Sequence, residues 1–296
     1  MLGHSPGAGH PESPARLKAV LDALADAGLD RETLPAEEAE VADLERIHPS
    51  AYVARILDAS PASGIAYLDP DTALSPGSVR AARLAAGAVI QAVRDVARGE
   101  RTRAFAAVRP PGHHAEPGQA MGFCLFSNVA VAARVAQAEG LERVAVIDFD
   151  VHHGNGTQAA FESDDSLFLG SIHQSPLYPG TGSADERGVG NIANAPVAPH
   201  ASPATWRALF EQALLGPLDA FAPDLILISA GFDAHARDPL ASQSLEAEDF
   251  AWATSAVVDV ANARSRGRIV SSLEGGYDLE ALGRSAVAHV RALQAG

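Results

Sequence analysis

The segment Asp148-Phe149-Asp150-Val151-His152-His153-Gly154-Asn155-Gly156 concentrates metal-ligating side chains in a few residues. In extended backbone successive side chains point to opposite sides, so Asp148, Asp150 and His152 are expected on one side and Phe149 and Val151 on the other. A carboxylate and an imidazole two residues apart can then reach one metal ion. A further carboxylate, Asp233 in AGFDAH, completes three ligands and leaves a position for water, as expected of a catalytic rather than a structural zinc site. An Asp-x-His pair alone often only ties down a loop; the matching aspartate at a second strand end favours the metal. Two carboxylates and an imidazole also suit iron(II), cobalt or manganese, with zinc the first choice.

Metal-assisted amide hydrolysis needs a group that takes a proton from water and a group that protonates the leaving amine. His113 and His114 follow a stiff Pro110-Pro111-Gly112 turn, and imidazoles titrate in the right range for both tasks. Either histidine singly is as well explained by a loop contact, but the pair beside the metal motif points to catalysis. Tyr277 follows Glu274-Gly275-Gly276, where glycines let the backbone bend and approach a ligand. Its hydroxyl could donate to the oxyanion formed on the amide carbonyl, although a lone tyrosine more often packs.

The elements that must position these residues are legible in the apolar pattern. Residues 143–149 (RVAVIDF), 225–229 (LILIS) and 268–273 (RIVSSL) read as strands, with shorter candidates at 104–108 and 167–172. Helices are expected from Pro14, with Ser13 at the N-cap, to near Gly28, between Ser78 and Gly99, and over 203–221 and 246–263. Alternation of strand and helix implies a parallel sheet covered on both faces. Ligands of open parallel sheets bind at the carboxyl ends of the strands. That is where RPPGHHAEPGQAMGF, DFDVHHGNG, AGFDAH and EGGYD stand. The Pro- and Gly-rich stretches 110–122 and 175–190 read as long functional loops rather than linkers, so residues 1–296 are expected to form one domain.

Composition narrows the class. With 47% hydrophobic and 20% charged residues the chain can bury a large core. A formal net charge of −15 disfavours direct nucleic-acid binding and leaves a cationic substrate attractive. Cys124 is the only cysteine, which excludes an internal disulfide and a Cys-x-x-Cys metal site and fits a reducing compartment. The first residues carry no apolar signal-peptide core and no run is long enough to cross a bilayer, so a cytoplasmic protein is expected.

Taken together and in order, HPESPARL, RPPGHHAEPGQAMGF, DFDVHHGNGTQ, YPGTGS, AGFDAH with DPL, and LEGGY resemble the histone deacetylase superfamily, closest to its class II bacterial members. That superfamily includes acetylpolyamine amidohydrolases. The resemblance spans nearly the whole sequence. It implies a three-layer α/β/α sandwich around a mostly parallel eight-stranded sheet, related to arginase. It also implies zinc on Asp150, His152 and Asp233, a dyad of His113 and His114, and a carbonyl-polarising Tyr277. Asp148 matches the carboxylate that orients His113 and, with Ser171, lines a structural potassium site. Asn155 stands where a carboxylate often orients the second histidine, so His114 is expected to hold a proton less firmly. Gly122, Phe123, Tyr178 and Leu240 match the walls of a narrow channel for an aliphatic amine.

The implied substrates are acylated amines: acetyl-lysine in a protein, an acetylpolyamine or a small amide. Leu240 replaces the acidic gatekeeper of one kind of polyamine-selective relative, which lowers the polyamine reading. Only nine residues precede His10, where the family has a strand and loop; either the usual first strand is absent or the chain begins late, and both affect the channel rim. An oligomer is possible. Two further readings stand lower: an arginase-like dimanganese hydrolase, which needs more bridging carboxylates, and an acyl-amine sensor without turnover. His153 and His173 read as structural loop residues and His235 as a support near the site. His4, His10, His48, His200 and His289 carry no pairing signal.

Overall fold

The computed structural model describes residues 1–295. In chain order its strands are β1 (Ala66–Tyr67), β2 (Ala73–Leu74), β3 (Arg103–Ala106), β4 (Val144–Asp148), β5 (Leu167–Gln174), β6 (Ile192–Val197), β7 (Leu225–Ala230) and β8 (Ile269–Leu273). The helices are α1 (Pro14–Asp26), α2 (Val41–Leu44), α3 (Ser50–Asp58), α4 (Ser78–Ala97), α5 (Asn128–Ala138), α6 (Asn155–Phe161), α7 (Pro203–Phe210), α8 (Gly216–Phe221), α9 (Ala247–Arg264) and α10 (Leu279–Ala295). A five-residue π-helix, Glu211–Leu215, joins α7 to α8, so the expected single helix over 203–221 is interrupted.

The main sheet runs β3-β8-β7-β4-β5-β6 with every neighbouring pair parallel. Helices α4, α5 and α6 pack on one face; α10, α9 and the α7–α8 segment pack on the other, with α1 against α10. The three-layer α/β/α sandwich is as expected. The strand number is not: the main sheet has six strands, and β1 and β2 form a separate antiparallel ribbon. The sheet ends at β3. The nearby segments offer no seventh strand, because residues 1–13 are rich in Gly and Pro and residues 30–40 are an acidic, Pro-interrupted run, compositions that disfavour a ladder.

Strands β4, β7 and β8 are buried at every residue, which explains their continuous apolar runs. Strand β6, not foreseen, contains Asn194 and Pro196; Pro is tolerated there because β6 is the other edge of the sheet. Ser13 stands at the α1 N-cap but makes no side-chain cap, so Pro14 alone marks the start. Ser202 does cap α7, accepting the amide of Thr205 at 3.1 Å. No helix among the described residues is long and apolar enough to cross a membrane.

Candidate active site

Strand β4 ends at Asp148, so Asp150 and His152 do not converge by strand alternation as expected. Two tight turns replace it. Asp148 Oδ1 accepts the Asp150 amide at 3.0 Å, and Asp150 Oδ1 accepts the His152 amide at 2.9 Å, the local side-chain-to-backbone bonding that aspartate favours. The turns keep Asp150 and His152 together and send Asp148 elsewhere, its Oδ2 accepting from His113 Nδ1 at 3.0 Å.

Asp233, in the loop after β7, accepts the Val151 amide at 2.8 Å, which locks the two strand ends together. His152 Nδ1 then lies 3.1 Å from Asp150 Oδ1 and 3.3 Å from Asp233 Oδ2. One ligand atom from each of Asp150, His152 and Asp233 falls within 4.8 Å of the others. Gly275 supplies the wall of this cradle: its amide donates to Asp150 Oδ2 at 2.8 Å, and a Cβ there would collide with the Asp233 and Asp150 carboxylates.

The electrostatics favour a cation. Burial penalises both carboxylates, yet Asp150 is held well below the usual range by His113 and His152, while burial and Asp150 push Asp233 up. Two carboxylates in one buried space cannot both stay ionised without positive charge. His152 bears the same mark: burial opposes its proton, but the Asp150 and Asp233 carboxylates raise it to about 10. Asp233 Oδ2 is buried and has no hydrogen-bond donor. A divalent ion on these three side chains would satisfy all of these groups.

His113 and His114 pack beside the cradle with ring centroids 4.0 Å apart and planes tilted by 41°. Their surroundings differ. Burial would strip the His113 proton, but Asp150 and Asp148 outweigh it and hold the imidazole well above its ordinary value. Burial, His113 and His152 together drive His114 well below its ordinary value, and His114 Nδ1 faces Asn155 Oδ1 at 2.8 Å. Tyr277 lies under the Arg16 guanidinium at 4.8 Å, and its amide donates to Asp238 Oδ2 at 2.7 Å. Burial, with the Asp233 and Asp150 charges, raises the phenol well above its ordinary value despite Arg16, so the hydroxyl remains a donor.

The expected channel residues divide. Gly122 and Phe123 adopt left-handed conformations with φ 57° and 68°. They are held by Asp71 and Thr72, which accept their amides at 3.1 and 3.2 Å. Phe123 faces Tyr277 edge-on at 6.2 Å, and Tyr178 faces His114 at 5.2 Å. Leu240 donates its amide to Asp238 Oδ1 at 3.0 Å, the same carboxylate that accepts from Tyr277. Ser171 is the register partner of Asp148, but its hydroxyl lies 3.0 Å from His173 Nδ1.

Several supports were not singled out from sequence. Glu274 is fully buried, accepts the Gly112 and His113 amides at 2.6 and 3.2 Å, and is pushed by burial to about 7 despite His113. Arg16 donates to the Glu274 and Gly276 carbonyls at 2.5 and 2.6 Å. Glu12 pairs with Arg109 at 2.7 Å and Arg16 at 3.4 Å. The signal for these was available: charged residues inside the motifs HPESPARL, RPPGHH and LEGGY. His4, His48 and His289, without pairing signal in sequence, are buried and hydrogen-bonded to Ser78, Pro117 and Ser127, and Thr254 and Ser271 respectively. His153 and His173 tie down the loop around Thr181 and Gly182, and His235 pairs with Glu246.

Comparison with known proteins identifies the family. The model of the histone deacetylase domain matches residues 10–293. The chain is 42% identical over 280 residues to a histone deacetylase-like amidohydrolase of Pseudomonas aeruginosa, covering 91% of this chain and 73% of that protein. It is 37% identical to a probable deacetylase of Archaeoglobus fulgidus, over 94% of this chain and 79% of the other. The crystal structure of the HDA15 HD domain superposes with a TM-score of 0.93 at 38% identity, covering 99% of this chain and 85% of that one. With the motifs in order and the fold matched end to end, the chain belongs to the histone deacetylase domain family and is a hydrolytic deacetylase.

Proposed function

We propose that the protein is a zinc-dependent amidohydrolase that removes acetyl or another short acyl group from acylated lysine or a related amine. The observation that carries the reading is the cradle of Asp150, His152 and Asp233 beside two adjacent imidazoles whose proton affinities are shifted in opposite directions. When bound there, zinc supplies Lewis-acid polarisation of the acyl carbonyl and acidifies water. Iron(II) or cobalt fits the same donor set. Neutral His114 accepts the proton of the attacking water and returns it to the leaving amine. His113, protonated against Asp148, keeps positive charge beside the developing oxyanion, and the Tyr277 hydroxyl donates to it. Phe123 and Tyr178 pack the methylene stem of the amine. Asp148 and Ser171, adjacent in register on β4 and β5, would line a structural potassium site.

Replacing Tyr277 by Phe should lower kcat by about 10²- to 10³-fold with metal content unchanged. Unchanged turnover on acyl-lysine peptides would remove Tyr277 from the mechanism. A small cationic amide is the second substrate reading, favoured by Asp71 at the channel wall beside Gly122. A panel of acylated peptides, polyamines and small amides on zinc-reconstituted protein separates the two. A dimanganese site is disfavoured because Asp148 is committed to His113; metal counting per chain tests that.

A further inference from the structure

His114 has no carboxylate beside it, yet a carboxylate stands one residue further out. Asn155 Oδ1 faces His114 Nδ1 at 2.8 Å, and Asn155 Nδ2 donates to Glu116 Oε1 at 2.9 Å. The other neighbours of that nitrogen are also acceptors: Met121 Sδ at 3.4 Å and the His114 carbonyl at 3.5 Å. An amide has one accepting end and one donating end, whereas an ionised carboxylate only accepts. Glu116 therefore fixes which end of Asn155 meets the histidine.

Glu116 is itself held in place. Its amide donates to the Gln119 carbonyl at 2.9 Å in a tight turn. His48 Nδ1 meets the Pro117 carbonyl of that turn at 3.0 Å, and Arg55 donates to the Gly118 carbonyl at 3.1 Å. Asn155 opens α6, where the Gly156 amide donates to the His113 carbonyl at 3.0 Å, so the helix start is clamped to the dyad loop. The distances in this chain of contacts are set by backbone on both sides.

We propose that Glu116 is a positioning residue that selects the tautomer of His114. With Glu116 accepting from Asn155 Nδ2, Asn155 Oδ1 must accept from His114, so Nδ1 carries the proton and the lone pair of Nε2 is left to take the proton of the attacking water. The proton on Nδ1 does not move in the reaction. A reversed amide would draw the proton to Nε2 and remove the base. This rests on the assignment of His114 as general base, but the tautomer can be measured without turnover.

The test uses zinc-loaded protein labelled with ¹⁵N-histidine, with the His114 signals assigned by loss in a His114 variant. Wild type should show an Nδ1–H, Nε2-bare ring. Glu116→Lys presents only donors, so it should turn the Asn155 amide, shift His114 toward Nε2–H, and lower kcat about a hundredfold with KM within about twofold. Adding Asn155→Asp should restore the Nδ1–H ring and bring kcat back to within about tenfold of wild type, since a carboxylate accepts from both neighbours. Glu116→Gln, a milder change, should leave a mixture of tautomers. A His114 ring that stays Nδ1–H in both single variants, or a Glu116→Lys loss that Asn155→Asp does not recover, overturns the proposal. Wild-type protein inactive on every acyl amine would refute the proposed function while leaving the tautomer result to stand on its own.

Discussion

The two sides of the histidine dyad are built from different materials. Beneath His113 lies a buried acidic floor: Asp148 and Asp150 beside the ring, and Glu274 on the backbone that carries it. Beside His114 lies a wall of neutral or aromatic groups: Asn155, Gly122 and the edge of Tyr178. Adjacent residues of one type thus have their proton affinities shifted in opposite directions, because burial lowers both and only His113 faces carboxylates that outweigh it. The difference in proton affinity within the dyad belongs to its surroundings rather than to the two residues.

The largest break in that comparison should come from the metal cradle that shares Asp150 with the floor. Asp233→Asn removes one carboxylate of the cradle, and zinc content by elemental analysis should fall well below one per chain with activity reduced at least about 10³-fold. Retained zinc and activity would mean the ion sits elsewhere. Next, His114→Ala should cost more kcat than His113→Ala, about 10³-fold against about 10²-fold, since the first loses the proton acceptor and the second a fixed charge. Equal losses would erase the assigned difference. Smaller still is the effect of giving the wall a charge. Asn155→Asp raises the proton affinity of His114, and the base is active only when unprotonated. The acidic limb of the kcat profile should therefore move to higher pH, by about one unit. A limb that stays put or moves down would show that His114 does not set it.

Much of the site was legible in the chain because motif residues sit just past apolar strands, and a parallel sheet gathers strand ends on one edge. The dyad, the candidate metal ligands and Tyr277 were singled out this way. The reason given for Asp150 and His152 pointing together was wrong in detail: β4 stops at Asp148, and turns made by the aspartates themselves do the aiming. Strand β6 escaped because Pro196 and Asn194 disguise an edge strand. The eight-stranded sheet, taken from resemblance, proved to be six strands and a detached ribbon.

By itself the sequence determined the alternation of elements, the donor types available to a metal and the family, since periodicity and residue chemistry are local properties. Only the tertiary structure decided that Asp148 meets His113 while Asp150 turns toward His152 and Asp233, that Gly275 leaves room for two carboxylates, and that Glu274 accepts from the loop carrying the dyad while Glu116 accepts from Asn155. Those outcomes depend on distances between strand ends far apart in the chain. Hydrogen bonds and buried charges act over a few ångströms, and residue order does not specify such distances until the sheet has formed.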